Sequence, residues 1–161
     1  MNPADMTRDQ LRRIGVLMGS GGSSQEFTEE QYRLYYQGKK KQCSVYVIPT
    51  STPGTLASEI SMRFGFRGLS HLISTGCTSS TDAIGYATEL VRNGKLEYAI
   101  AGGVDAPIAP LIVRGFHLMR IMSTRWNAEP ELASGHFPAT AMDSYLRKGR
   151  GSLCSRPWST P

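Results

Sequence analysis

Strand-length apolar runs alternating with amphipathic helical segments predict an α/β fold built in layers. Three observations carry that expectation. IGVLM (14–18) is a continuous apolar run that ends in the loop-forming GSGGSS (19–24). TSSTDAIGYATELVRNGK places Ala83, Ile84, Ala87, Leu90 and Val91 at helical spacing, with Gly94 as its stop. YAIAGGVDA (98–106) follows as a second buried-strand run.

The remaining elements fill in around these. Residues 26–37 (EFTEEQYRLYYQ) read as a helix with Phe27, Tyr32 and Tyr35 or Tyr36 on the inner face, and Lys39 to Lys41 as a basic loop. After Pro49 and Pro53, TLASEISMRFGF sets Leu56, Ile60 and Phe64 at i, i+4 and i+8, a helical stripe closed by Gly65 and Gly68. HLIST (71–75) reads as a short strand, and residues 108–122 as an apolar helix against the core. Cys43 reads as an ordinary strand-adjacent cysteine. Asp105, after Gly102 and Gly103, reads as part of a tight turn with a structural role.

Composition narrows the function classes. With 161 residues, 40% hydrophobic and 19% charged, the chain is suited to one folded domain. Its longest apolar stretch, Tyr98 to Val113, is broken by Asp105, two glycines and two prolines, so no membrane span is expected. The N-terminal MNPADMTRDQLRR has no apolar core of a secretory signal. Three scattered cysteines form neither a disulfide framework nor a metal knuckle, which points to a reducing, cytoplasmic setting. The net charge of +5 is uneven. Residues 1–134 hold fourteen basic and twelve acidic side chains, whereas 135–161 hold Arg147, Lys148, Arg150 and Arg156 against Asp143 alone. A charge excess concentrated in the tail argues against nucleic-acid binding.

Cys77 is the residue that carries chemistry. It stands where a strand turns into a helix, between Gly76 and the small residues Thr78, Ser79 and Ser80. Free N–H groups and the positive end of a helix dipole stabilise a thiolate at such a place. The glycine permits a sharp turn that exposes the sulfur, and the same amides are placed to stabilise an oxyanion. A buried cysteine acting as a small hydrophobe is the alternative. GSGGSS reads as a loop beside this site rather than a phosphate cradle. Lys39 to Lys41 reads as a solvated loop, with electrostatic docking of an acidic partner as the alternative.

STGCTSSTDAIGYA (74–87) followed by YAIAGGVDAPIAP (98–110) resembles the active-site region of β-ketoacyl–acyl carrier protein synthases, the condensing enzymes of fatty-acid and type II polyketide synthesis. IGVLMGSG (14–21), SMRFGFRG (61–68) and ELAS (131–134) match in the same order, so the resemblance spans residues 12–134. It implies a partial thiolase-like fold, mostly the N-terminal half, with Cys77 as the acyl-accepting cysteine. It implies no metal or redox cofactor, an acyl carrier protein as partner, and a homodimer or a heterodimer with a ketosynthase-like subunit, HLIST being the strand that pairs across the interface. Neither nucleic acid nor membrane is an expected partner. The family's two histidines and lysine lie downstream of the matched region. His71, His117 and His136 do not fall at those motifs and are assigned no catalytic role. The resemblance further implies an internal piece of such an enzyme, with two alternatives: a catalytically dead fragment, or another thiolase-fold acyltransferase.

After ELAS the family pattern stops and GHFPATAMDSYLRKGRGSLCSRPWSTP begins. Loss of one base after the Ser134 codon is the expected cause of the break, with a genuinely divergent tail as the alternative. Regrouped by one position, the codons of Gly135 to Gly151 allow Arg-Pro-Phe-(Ser or Pro)-Arg-Asp-Arg-Asp-Gly-Phe-Val-Leu-Ala-Glu-Gly-Ala-Trp, close to the family's continuation. Only one position is forced: the last base of Met142 and the first two of Asp143 spell glycine, at the family's Arg-Asp-Gly. The expected division is therefore a partial ketosynthase unit at 1–134 and an out-of-frame, poorly structured tail at 135–161.

Overall fold

The computed structural model describes residues 3–130 and the backbone of 149–155. Its elements run α1 (Arg8–Arg12), β1 (Ile14–Gly19), α2 (Gln25–Tyr36), α3 (Val47–Ser51), α4 (Thr55–Phe64), β2 (Ser70–Ile73), α5 (Ser79–Arg92), β3 (Tyr98–Asp105), α6 (Pro110–Leu118) and β4 (Gly149–Ser155). The strands form one sheet in the order β2-β1-β3-β4. β1 runs parallel to both β2 and β3, in a register that pairs Val16 with Ser70 and Gly19 with Gly103. β4 lies antiparallel against β3. It falls within the tail expected to be poorly structured; the rest of that tail, including His136, is outside the described residues.

β1 is buried along its whole length because both of its faces are covered. Leu17, with Ala99 and Ala101 of β3, packs against Ala87, Leu90 and Val91 of α5. On the other set of alternating positions, Val16 and Met18 pack against Ala57 of α4, with Leu56 and Ile60 beside it. α5 ends as expected. The Lys95 amide bonds back to the Leu90 carbonyl and the Gly94 amide to that of Val91, closing the helix at a left-handed glycine.

Four expectations need correction. In α2 the buried position is Gln31, not a tyrosine: the inward stripe is Phe27, Gln31 and Leu34, and the Gln31 Oε1 accepts the Ser44 amide at 2.7 Å. Tyr32, Tyr35 and Tyr36 are exposed and pack on one another, with the Lys40 ammonium 4.9 Å above the Tyr35 ring. Phe64 closes its helical stripe in the open, stacked on Phe66, because α4 ends there and turns through Gly65. α6 buries no residue and leaves Leu111 and Leu118 exposed; among the described elements α2 touches it, the Glu29 carboxylate accepting the Leu111 amide. Cys43 caps a 3-10 turn (Lys40–Gln42) that leads toward α3, and no strand lies beside it among the described residues.

Two short helices were not anticipated. For α1 a signal was present: the Thr7 hydroxyl accepts the Gln10 amide while the Gln10 side chain accepts the Thr7 amide, a reciprocal cap readable from the T-x-x-Q spacing. α3 contains Pro49, which its first turn tolerates because the amide there needs no partner. Leu17 is fully buried beneath α5, so Leu17→Ala is expected to cost about 2–5 kcal/mol in a urea titration followed by circular dichroism.

Candidate active site

Cys77 lies in a 3-10 turn (Gly76–Thr78) between the end of β2 and the start of α5, and it is exposed. The reading of Cys77 as a buried small hydrophobe does not hold. The turn begins at Gly76, whose φ of 71° is a left-handed conformation that a side chain disfavours.

The turn is clamped from within. The Ser79 hydroxyl donates to the Gly76 carbonyl at 2.5 Å and accepts the Thr75 amide at 2.9 Å, so one buried side chain ties both ends of the segment around Cys77. On the exposed side Thr75 donates to the Asp82 carboxylate, and Thr78 bonds to the Thr75 carbonyl at 3.2 Å. A carboxylate in the first turn of α5 also suits the positive end of that helix.

The helix start sits unusually close to the sheet. A Cβ on Gly19 would overlap the Ser79 carbonyl, and one on Gly103 would lie 2.6 Å from the Ser80 Cβ. Gly19 and Gly103 are register partners on neighbouring parallel strands. Two missing side chains in one row therefore make the seat on which the Cys77 turn rests.

Behind the turn lies the loop after β1. Asp105, the last residue of β3, accepts the Ser20 hydroxyl at 2.6 Å and the amides of Gly21, Gly22 and Ser23 at 3.0 Å each. Burial opposes ionisation of this carboxyl, but the four hydrogen bonds outweigh burial and hold it below the ordinary 3.8. GSGGSS thus lies beside the Cys77 turn, as the sequence led one to expect, and Asp105 is what fixes it there.

His71 is an exposed residue of β2 and His117 lies in α6; neither is bonded to the Cys77 turn. Among the described residues no group of His, Cys, Asp or Glu side chains is arranged to hold a metal ion, and no helix is long and apolar enough to cross a membrane.

Comparison with known proteins identifies the fold's lineage. The β-ketoacyl synthase N-terminal domain matches residues 1–142, past the Ser134 boundary drawn from sequence. The chain belongs to the β-ketoacyl synthase family. It is 32% identical over 155 residues to a putative polyketide β-ketoacyl synthase 1 of Streptomyces halstedii, covering 92% of this chain and 36% of the relative. It is also 32% identical over 144 residues to the 3-oxoacyl-[acyl-carrier-protein] synthase 2 of Rhizobium meliloti, covering 89% of this chain and 34% of that one. A β-ketoacyl synthase from Burkholderia phymatum superposes with a TM-score of 0.72 at 26% identity, over 94% of this chain and 37% of the other. The chain therefore spans about a third of the length of these relatives, and its layered sheet is part of a thiolase-like ketosynthase fold.

Two outcomes follow from the site's geometry. Gly19→Ala is expected to push α5 off β1, costing about 1–3 kcal/mol in denaturant unfolding and slowing alkylation of Cys77 by iodoacetamide. The depressed carboxyl of Asp105 sets a pH dependence. Its stabilising effect is complete above the ordinary 3.8 and is lost as pH falls through the lower folded value. Acid titration followed by amide exchange at Gly21 to Ser23 is expected to show loosening only below about pH 4, and none beyond the basal level in Asp105→Asn.

Proposed function

We propose that this chain carries the acyl-accepting site of a β-ketoacyl–acyl carrier protein synthase, with Cys77 as nucleophile. The supporting observation is the exposed Cys77 on a clamped turn at the start of α5, in a chain of the ketosynthase family. In the proposed step the Cys77 thiolate attacks the carbonyl of an acyl thioester. The first-turn amides of α5 stabilise the developing oxyanion, and its collapse breaks the carbon–sulfur bond to the carrier, whose sulfur leaves as a thiolate and takes up the proton that Cys77 released to solvent on ionising. An acyl-cysteine thioester results. In the family, decarboxylation of a malonyl thioester then supplies the carbanion for a Claisen condensation in fatty-acid or polyketide synthesis. That second half needs the two histidines and the lysine of the family's downstream motifs, which His71, His117 and His136 do not supply.

The partner proposed for the first half is an acyl carrier protein. A ketosynthase with a TM-score of 0.67 to this chain is solved with its type II acyl-carrier protein, and another, at 0.60, with its chain length factor. The basic Lys39–Lys41 loop beside exposed tyrosines offers a positive face to an acidic carrier. β2 is an edge strand of the described sheet, at the end opposite β4, which suits strand pairing with a second subunit, either a copy or a ketosynthase-like partner. A partner of that last kind typically lacks the cysteine, and this chain retains it. A reducing cytoplasm is the compartment that keeps such a thiol active.

Residues 1–134 are proposed as the ketosynthase unit and 135–161 as out-of-frame translation, on the strength of the glycine forced by Met142 and Asp143. Sequencing the gene across codon 134 decides this; an intact frame with no related reading in the shifted phase would overturn it.

The functional test is chemical. Incubated with an acyl-N-acetylcysteamine thioester and digested, the chain is expected to carry the acyl mass on Cys77, with the signal gone in Cys77→Ser. Transfer to Cys77 without condensation of added malonyl thioester is the expected full result. An absence of adduct on a folded chain would favour the inactive-fragment reading.

A further inference from the structure

Asp105 does more than a strand-end carboxylate requires. Its two oxygens collect four hydrogen bonds from four consecutive residues, Ser20 to Ser23. The Ser23 amide donates also to the Ser20 hydroxyl at 2.8 Å, and Ser23 is held at φ 59°, a left-handed conformation uncommon for a residue with a side chain. The Ala106 amide donates to the Ser23 carbonyl at 3.2 Å, stitching the loop to β3 a second time. A loop of this composition, Ser-Gly-Gly-Ser, has little conformational preference of its own. The carboxylate supplies the order that the residues lack.

The same loop also touches the Cys77 turn. The Ser20 amide donates to the Ile73 carbonyl at 3.1 Å, at the last residue of β2 before the turn. Gly21 approaches Gly76 so closely that a Cβ on it would lie 3.1 Å from the Gly76 carbonyl oxygen. That carbonyl is also the acceptor of the Ser79 clamp. Loop 20–23 therefore touches both Asp105 and the residue preceding Cys77, and at Gly21 the two meet on one face of the loop.

We propose that Asp105 is a positioning residue for Cys77, acting through loop 20–23 to hold the Gly76 carbonyl and so the orientation of the thiol. The proposal rests on the reading of Cys77 as acyl acceptor. In this arrangement Asp105 touches neither substrate nor sulfur. It removes the freedom of a glycine-rich layer that would otherwise let the turn rock.

Hydrogen exchange read by mass spectrometry on the full chain tests the coupling, because it does not depend on activity. In Asp105→Asn, exchange is expected to rise about tenfold both at 21–23 and at 76–78, with 84–91 of α5 unchanged. Acyl transfer to Cys77 is expected to lose kcat with KM unmoved. A rise at 21–23 with none at 76–78 would overturn the proposal. A uniform rise over the whole chain would also overturn it, assigning Asp105 to general stability. Should Asp105→Asn fail to fold, Ser20→Ala removes one of the four donors and is judged on the same pattern. If the wild-type chain takes up no acyl group, the functional reading fails, and the exchange pattern still decides whether Asp105 governs the turn.

Discussion

Everything at the candidate site depends on how closely the first turn of α5 approaches the sheet. Backbone meets backbone there because Gly19 and Gly103, paired across two parallel strands, present no side chains. A helix start normally stands off a sheet by the thickness of a side chain. With that layer removed, Ser79 and Ser80 drop onto the strands, Ser79 becomes buried, and its hydroxyl reaches back to Gly76. The turn bearing Cys77 is left as the part that protrudes. Exposure of the thiol and rigidity of its support thus share one cause.

The two-sided core serves that seat. β1 is the central strand among the parallel three, covered by α5 on one face and α4 on the other. Alternation along β1 sends Leu17 toward α5, in the row that also contains Gly19. The same row thus changes from large to absent side chains over two residues. The helix is anchored at its middle by Leu17 against Ala87 and Leu90, and allowed to collapse at its start. Packing and presentation of the cysteine are properties of one strand face.

Much of this was legible in the sequence because its signals were local. Apolar runs gave β1 and β3, i, i+4 spacing gave α4 and α5, and the Gly-Cys step with small residues gave the exposed turn. What stayed hidden needed partners distant in sequence. Nothing near Gln31 says that it is buried, since its reason is the Ser44 amide. Tyr32 and Tyr36 look like core residues by type, yet the stripe that turns inward is Phe27, Gln31 and Leu34, toward the segment that leads into α3. Asp105 looks in sequence like a turn residue, and its hold on Ser20 to Ser23 spans more than eighty positions of chain. The role of Ser79 had a local signal, a serine at the start of a helix, but its effect on Gly76 depends on the depth that Gly19 permits.

The central claim is that the folded seat, and not merely the presence of a thiol, makes Cys77 an acyl acceptor. The most direct measurement compares acyl transfer from a small thioester with alkylation by iodoacetamide at Cys77, in the native chain and in urea. The expected result is acyl transfer that is fast when folded and lost on unfolding, while alkylation persists in the unfolded chain. Acyl transfer to Cys77 at the same rate in both states would contradict the account.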